Sequence, residues 1–332
     1  MDLALIWAGI IGFAVFVYVV MDGFDLGIGI LFPRIQSDED RDQAMNAIAP
    51  YWDGNETWLV MGGGGLLAVF PTVYAVLLPA TYPLIIAMLV GLILRGVAFE
   101  FRWRDKRHKA LWDQAFFVGS GLAAMAQGMI LGAIIQGIKI ADNAYAGGLF
   151  DWLTPYTLLT GLGVVAGYAL LGAGWLVWRT DGRLQNRART WTFGLTVIVL
   201  GLVALVSFAT LFVQGAFWER WLSFPRILLA APVPVLAALA GLRLLTGIDR
   251  SPDHMPFVMA LALFAMGYAG LAISIYPDML PPSLTIQAAA APPESLWFLL
   301  VGAVIVIPLI LAYTGWAYWV FRGKTSTKGG YH

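Results

Sequence analysis

The chain has 332 residues, 60% of them hydrophobic and 12% charged, which is too apolar for an ordinary soluble domain and fits a polytopic membrane protein. Its 20 basic and 20 acidic residues balance, so no electrostatic footprint for nucleic acid exists and no nucleic-acid partner is expected. With no cysteine, disulfides, iron–sulfur ligation and a thiol nucleophile are excluded.

The opening residues Met1-Asp2-Leu3-Ala4 lack the basic n-region of a cleaved signal, so the apolar run that follows is expected to be a retained helix. Runs of spanning length predict nine helices, at 3–31, 57–77, 79–99, 113–135, 157–178, 190–213, 225–246, 256–276 and 295–320. This describes an all-α polytopic membrane protein, one transmembrane domain over 1–332. The longest polar stretches, Pro33 to Glu56 and Lys139 to Asp151, read as loops.

Near its end the first run contains Asp22 and Asp25, three residues apart and therefore on one helix face. Each carboxylate costs roughly 2.5–3.5 kcal/mol at a bilayer centre on insertion scales, so such residues usually face a bundle interior and mark a proton or ion path. The following polar segment carries Asp53 and Glu56, and the third run holds Arg95 with Glu100 after it. In the second run, Gly62-Gly63-Gly64-Gly65 predicts close helix packing.

With the N-terminus outside and the C-terminus cytoplasmic, sixteen of the 20 lysines and arginines fall on the cytoplasmic side. The outer side keeps Lys139, Arg220 and Arg226, and Arg95 lies within a helix. This is a positive-inside pattern. It places Asp22, Asp25, Arg95 and Glu100 toward the cytoplasmic ends of their helices, with Asp53 and Glu56 at the same mouth. Carboxylates with one arginine suit a proton intake path from the cytoplasm. The same residues also suit a buried structural ion pair of Asp25 with Arg95 that locks two helices.

His108, His254 and His332 fall in a basic loop, a short loop and the tail. A membrane haem normally takes a His or Met axial ligand in a helix core, and Met88, Met125 and Met129 are explained as core filler. Any metal of a redox reaction is therefore expected in another subunit.

Five segments, in order, carry a resemblance: Asp22-Gly23-Phe24-Asp25-Leu26-Gly27; Ala49-Pro50-Tyr51-Trp52-Asp53-Gly54-Asn55-Glu56-Thr57-Trp58; Arg95-Gly96-Val97-Ala98-Phe99-Glu100; Tyr276-Pro277 with Pro281-Pro282-Ser283; and Pro308 to Trp316. Over nearly its whole length the chain resembles subunit II of the cytochrome bd-type quinol oxidases, including the cyanide-insensitive branch. The resemblance implies two four-helix bundles plus one peripheral helix in a bacterial cytoplasmic (inner) membrane, paired with a larger subunit I that carries haem b, haem d and the quinol site. It implies no cofactor in this chain, quinol as substrate of the complex, lipid and quinone as small-molecule partners, and room for a small single-helix accessory subunit. Matched residue by residue, Asp25, Asp53, Arg95 and Glu100 occupy the family's polar path, and Asp22 belongs to the same motif. Glu100 stands where some relatives carry Asp. In this reading Asp53 gathers protons, Asp25 relays them, and Arg95 tunes the carboxylate by its charge. A proton-coupled secondary transporter is the alternative from another class.

Overall fold

The computed structural model describes residues 2–248 and 251–325; His332, one of the three histidines above, lies outside them. Eight helices among the described residues are long and apolar enough to cross a membrane. The helices run α1 Leu3–Leu31, α2 Asp38–Asn46, α3 Trp52–Val69, α4 Pro71–Arg104, α5 Lys109–Gln136, α6 Pro155–Arg179, α7 Gly182–Val213, α8 Gly215–Leu222, α9 Ile227–Ala230, α10 Pro232–Gly247, α11 Met255–Ile275, α12 Ile286–Ala289 and α13 Pro293–Val320. Two small antiparallel hairpins sit in connections, at Ile140–Ala141 with Ala144–Tyr145 and at Asp278–Leu280 with Leu284–Thr285.

The structure moves several expected boundaries. The spans expected at 57–77 and 79–99 become α3 and α4, which meet at Phe70. Phe70 adopts φ −126° and ψ 63° because the ring of Pro71 disfavours the helical region for the residue before it, while Pro71 itself suits a first helical position. No helix ends at the expected gap near residue 78. Pro79 and Pro83 instead bend α4 at Thr81, which leaves the helical region and donates its hydroxyl to the Leu77 carbonyl at 2.8 Å. Helix α3 is not among the eight apolar spans, since its first turns carry Asp53, Asn55 and Glu56. Helix α7 starts eight residues before the expected 190, in its basic stretch.

The polar segment expected as a loop contains α2. Ser37 caps it by accepting from the Asp40 amide at 3.2 Å, and Asp38, Glu39 and Asp40 fill its first turn, where the helix dipole favours negative charge. Helix α2 joins an ionic lattice at one end of the bundle. Fully buried Arg102 of α4 binds Asp113 of α5 and Asp42 of α2, each at 2.5 Å, while Arg183 of α7 reaches Asp40 at 2.9 Å.

Helices α1, α3, α4 and α5 pack together, α6, α7, α10 and α11 do likewise, and α6 joins the groups by lying against α1 and α5. Close approach depends on glycine at particular crossings. A Cβ on Gly27 of α1 would strike the Tyr168 carbonyl of α6, and one on Gly172 would come within 2.5 Å of the Gly27 carbonyl carbon. Gly91 and Gly119 make the α4–α5 crossing in the same way, since a Cβ added to either would lie 2.6–2.7 Å from the other's carbonyl oxygen. The expected glycine contact at 62–65 is only partial: Gly62 and Gly65 face Val15 and Ile11 of α1, whereas Gly63 and Gly64 face open space.

Overpacking such a crossing costs about 1–3 kcal/mol. Gly27→Ala is therefore expected to lower the thermal unfolding midpoint of the purified protein, while Gly201→Ala, whose added methyl meets nothing within 4 Å, leaves it unchanged.

Candidate functional site

The polar site lies where α1, α3 and α4 meet. Asp22 and Asp25 share one face of α1 and are both fully buried. Arg95, 2% exposed, approaches from α4, which its glycine-mediated packing on α5 holds in place. Its Nη1 donates to Asp22 Oδ1 and its Nη2 to Glu56 Oε2, both at 2.5 Å. The guanidinium also lies 5.7 Å from the Trp52 ring, close enough for a cation–π contact.

This arrangement corrects the expected pairing: Arg95 holds Asp22 and Glu56, and Asp25 has no ion pair among the described residues. Asp25 Oδ2 accepts instead from Nδ2 of Asn55 at 2.8 Å, and its Oδ1 has no hydrogen-bond partner there. Asn55, 1% exposed in the second turn of α3, is completed by Tyr318 of α13, whose hydroxyl donates to its Oδ1 at 2.8 Å. The two aspartates thus have different surroundings although they sit one turn apart. One faces a guanidinium and the other a neutral amide.

A cleft of about 470 Å³ opens beside Asn55, lined also by Trp52, Asp53, Glu100, Thr314 and Tyr318. Asp53 is exposed on its rim. Glu100 is half-exposed and meets Arg104 at 3.8 Å, a loose surface pair one turn along α4 that contributes little. Of the five expected path residues, the structure brings Asp22 and Arg95 into contact and sets Asp25 next to them. Asp53 and Glu100 stand apart at the cleft, with Asn55 between the cleft and Asp25.

A second polar chain starts one turn before Asp22. The hydroxyl of Tyr18 accepts from Gln127 Nε2 of α5 at 2.8 Å, and Tyr168 of α6 donates its hydroxyl to Gln127 Oε1 at 2.6 Å. Asn55, Tyr318, Tyr18, Tyr168 and Gln127 escaped sequence reasoning because neutral polar residues are unremarkable in apolar runs. Asn55 alone carried a signal, through its place between Asp53 and Glu56.

No group of three or more His, Asp or Glu side chains that could hold a metal occurs among the described residues. His108 is exposed and contacts Asp105 at 2.9 Å, and His254 is exposed at the start of α11. Neither lies inside the bundle.

An all-helical protein that buries two aspartates around one arginine, and opens a polar cleft beside them, belongs to the class of multi-pass membrane proteins that keep charge within the bilayer. The model of the cytochrome bd terminal oxidase subunit II family matches residues 3–321. Cytochrome bd-I ubiquinol oxidase subunit 2 of Escherichia coli K12 is 29% identical, with 98% of this chain and 96% of the relative covered. Cytochrome bd ubiquinol oxidase subunit 2 of Bacillus subtilis 168 is 30% identical, covering 94% and 93%. The fold matches a chain in the structure of bd oxidase from Geobacillus thermodenitrificans with TM-score 0.79 at 17% identity, over 97% of this chain and 99% of that one. The chain belongs to the cytochrome bd terminal oxidase subunit II family, and it is a multi-pass inner-membrane protein.

Removing one member of a buried ion pair leaves an uncompensated charge, at a cost of about 3–5 kcal/mol. Arg95→Leu is accordingly expected to lower the yield and unfolding temperature of the purified protein sharply. Adding Asp22→Leu removes the stranded charge and recovers most of the loss; no recovery would place the energetic role of Arg95 elsewhere, with Glu56.

Proposed function

We propose that this chain is the haem-free second subunit of a quinol:oxygen oxidoreductase, stabilising a larger haem-bearing subunit I and contributing a cytoplasmic proton path. In this reading haem b and haem d, and the oxidation of quinol coupled to reduction of oxygen to water, belong to subunit I. Family membership over residues 3–321 supports the assignment and does not favour the transporter alternative. The location of His108 and His254 outside the bundle is compatible with haem ligation by the partner.

The topology follows the same reading. Counted with α3, the long helices make nine crossings, arranged as α1, α3, α4 and α5, then α6, α7, α10 and α11, with α13 peripheral. Helix α2, the link between α6 and α7, and residues 321–325 share one end of the structure, where Arg183 meets Asp40 and Thr325 meets Arg179. That end carries the basic residues, so it is cytoplasmic and the start of α1 is outside. Subunit I covers part of the remaining surface, and lipid and quinone surround the complex, with or without a small single-helix accessory subunit.

One observation carries the proton role. Asp25 is fully buried yet has a neutral amide for its hydrogen-bond partner, and that amide borders the cleft with Asp53 and Glu100. A carboxyl without a bound cation can exchange its proton without breaking an ion pair, whereas Asp22 is held by Arg95. Asp53 and Glu100 gather protons at the rim, Asn55 bridges to Asp25, and Arg95 acts on Asp25 through its field. The structural role expected for an Asp25–Arg95 pair passes to Asp22 and Arg95.

If Asp25 relays protons, Asp25→Asn lowers quinol oxidase turnover roughly a hundredfold, the scale of a lost proton donor, while the visible haem spectrum of the complex stays intact. Full turnover would remove Asp25 from the path, and loss of the haem spectrum with activity would make it structural.

A further inference from the structure

Helix α13 is loosely packed. Of its 28 residues only Leu296 and Leu300, near its start, are buried, so little burial holds its other end in place. Polar contacts hold it, together with the Tyr318 ring, which packs on Tyr51 and Trp175. The Phe321 carbonyl accepts from Nη2 of Arg179 and from the Tyr51 hydroxyl, the latter at 2.8 Å. Arg179, 5% exposed at the end of α6, is itself held between aromatic rings, its guanidinium 5.3 Å from Trp175 and 5.7 Å from Tyr51.

The same arginine also grips the chain further on. Its carbonyl oxygen accepts from the amide and the hydroxyl of Thr325, at 2.8 and 3.0 Å. Gln43 of α2 donates to the Thr325 carbonyl at 2.9 Å. Arg179 thus binds the tail twice, with its side chain at 321 and its backbone at 325.

Tyr318 lies one turn before Phe321. Its ring stacks on Tyr51 at 4.3 Å, and its hydroxyl occupies Oδ1 of Asn55. A carboxamide has one donor end and one acceptor end. With the Tyr318 hydroxyl on the oxygen, the NH₂ end of Asn55 is directed at Asp25.

We infer that Arg179 is a positioning residue for the proton site: by fixing the Phe321 carbonyl it keeps the Tyr318 hydroxyl on Asn55, and so keeps the Asn55 amide on Asp25. The inference rests on the proposed proton role of Asp25. Arg179 touches no reacting group, and its effect passes through α13. A hydrogen bond at one end of a peripheral helix sets the geometry of a carboxyl inside the bundle.

The test uses the intact purified complex carrying Asp25→Asn, Arg179→Leu, Arg179→Lys, Tyr318→Phe or Arg179→Leu with Tyr318→Phe. Arg179→Leu and Tyr318→Phe should each lower kcat for quinol oxidation about fivefold, as the loss of a hydrogen bond does, with the KM for quinol and the haem spectrum unchanged. The double variant should be no slower than either single one, because both changes cut the same chain. Arg179→Lys, which can still donate to the Phe321 carbonyl, should retain most of the turnover. Multiplying losses in the double variant, or wild-type kcat in Tyr318→Phe, overturns the inference. If Arg179→Leu fails to assemble, Arg179→Gln takes its place, with a side chain too short to reach the Phe321 carbonyl: slowed turnover with an intact haem spectrum supports the positioning role and wild-type turnover refutes it. Wild-type turnover in Asp25→Asn instead defeats the proton-site reading itself, whereas a slow Asp25→Asn beside normal Arg179 and Tyr318 variants defeats only the positioning role.

Discussion

The contact of Arg95 with Asp22 and Glu56 organises the rest of the molecule. Charges in a medium of low dielectric interact strongly and are costly to leave single, so a guanidinium buried among apolar helices dictates which helices stand beside it. Asp22 brings α1, Glu56 brings α3, and Arg95 itself belongs to α4. The Glu56 side chain is 31% exposed, which gives one of the two carboxylates partial contact with a polar surrounding. Asp25 is left as the acid in the site that Arg95 does not bind directly. Its setting is defined by that omission as much as by its own hydrogen bond from Asn55.

Contacts of 2.5 Å between side chains on separate helices require backbones at a set distance, and here small residues provide it. Gly27 against Gly172, and Gly91 against Gly119, allow α1 to lie on α6 and α4 on α5 with almost no side chain between them. Membrane helices gain little from burying apolar surface against one another, because lipid is equally apolar, and so rely on this kind of close fit. The ionic lattice around Arg102 ties α4 to α5 and to α2 at the charged end, where Asp42 and Asp113 bind it and Lys109 meets Asp42.

Much of this could be read from the sequence, for a physical reason. A charged residue in an apolar run is an anomaly, and Asp22, Asp25 and Arg95 stand out on that ground. The choice of partner was not legible, since a spacing of three puts both aspartates on one face and the rotation of α4 decides which meets the arginine. Helix α2 was hidden because its acidic sequence resembles a loop and its stability comes from Arg102 and Arg183, far along the chain. Hydropathy placed the turn after α3 near residue 78 because Phe70 and Pro71 interrupt the apolar run by backbone preference and not by polarity. Asn55 and Tyr318 form a bond across 263 residues, a relation between neutral side chains that local pattern does not encode.

That separation has a consequence for how the protein is made. Chains are synthesised from the N-terminus, and contacts distant in sequence close late. Helices α1, α3 and α4, with the Asp22–Arg95–Glu56 cluster, can come together while α13 is still unmade. The Tyr318 hydroxyl can reach Asn55 only after α13 has been made and has entered the membrane. Neutralisation of buried charge therefore belongs to the early stage of biogenesis, and completion of the amide beside Asp25 to the last. A chain stalled before α13 would hold its arginine safely paired while its second aspartate still lacked a finished setting.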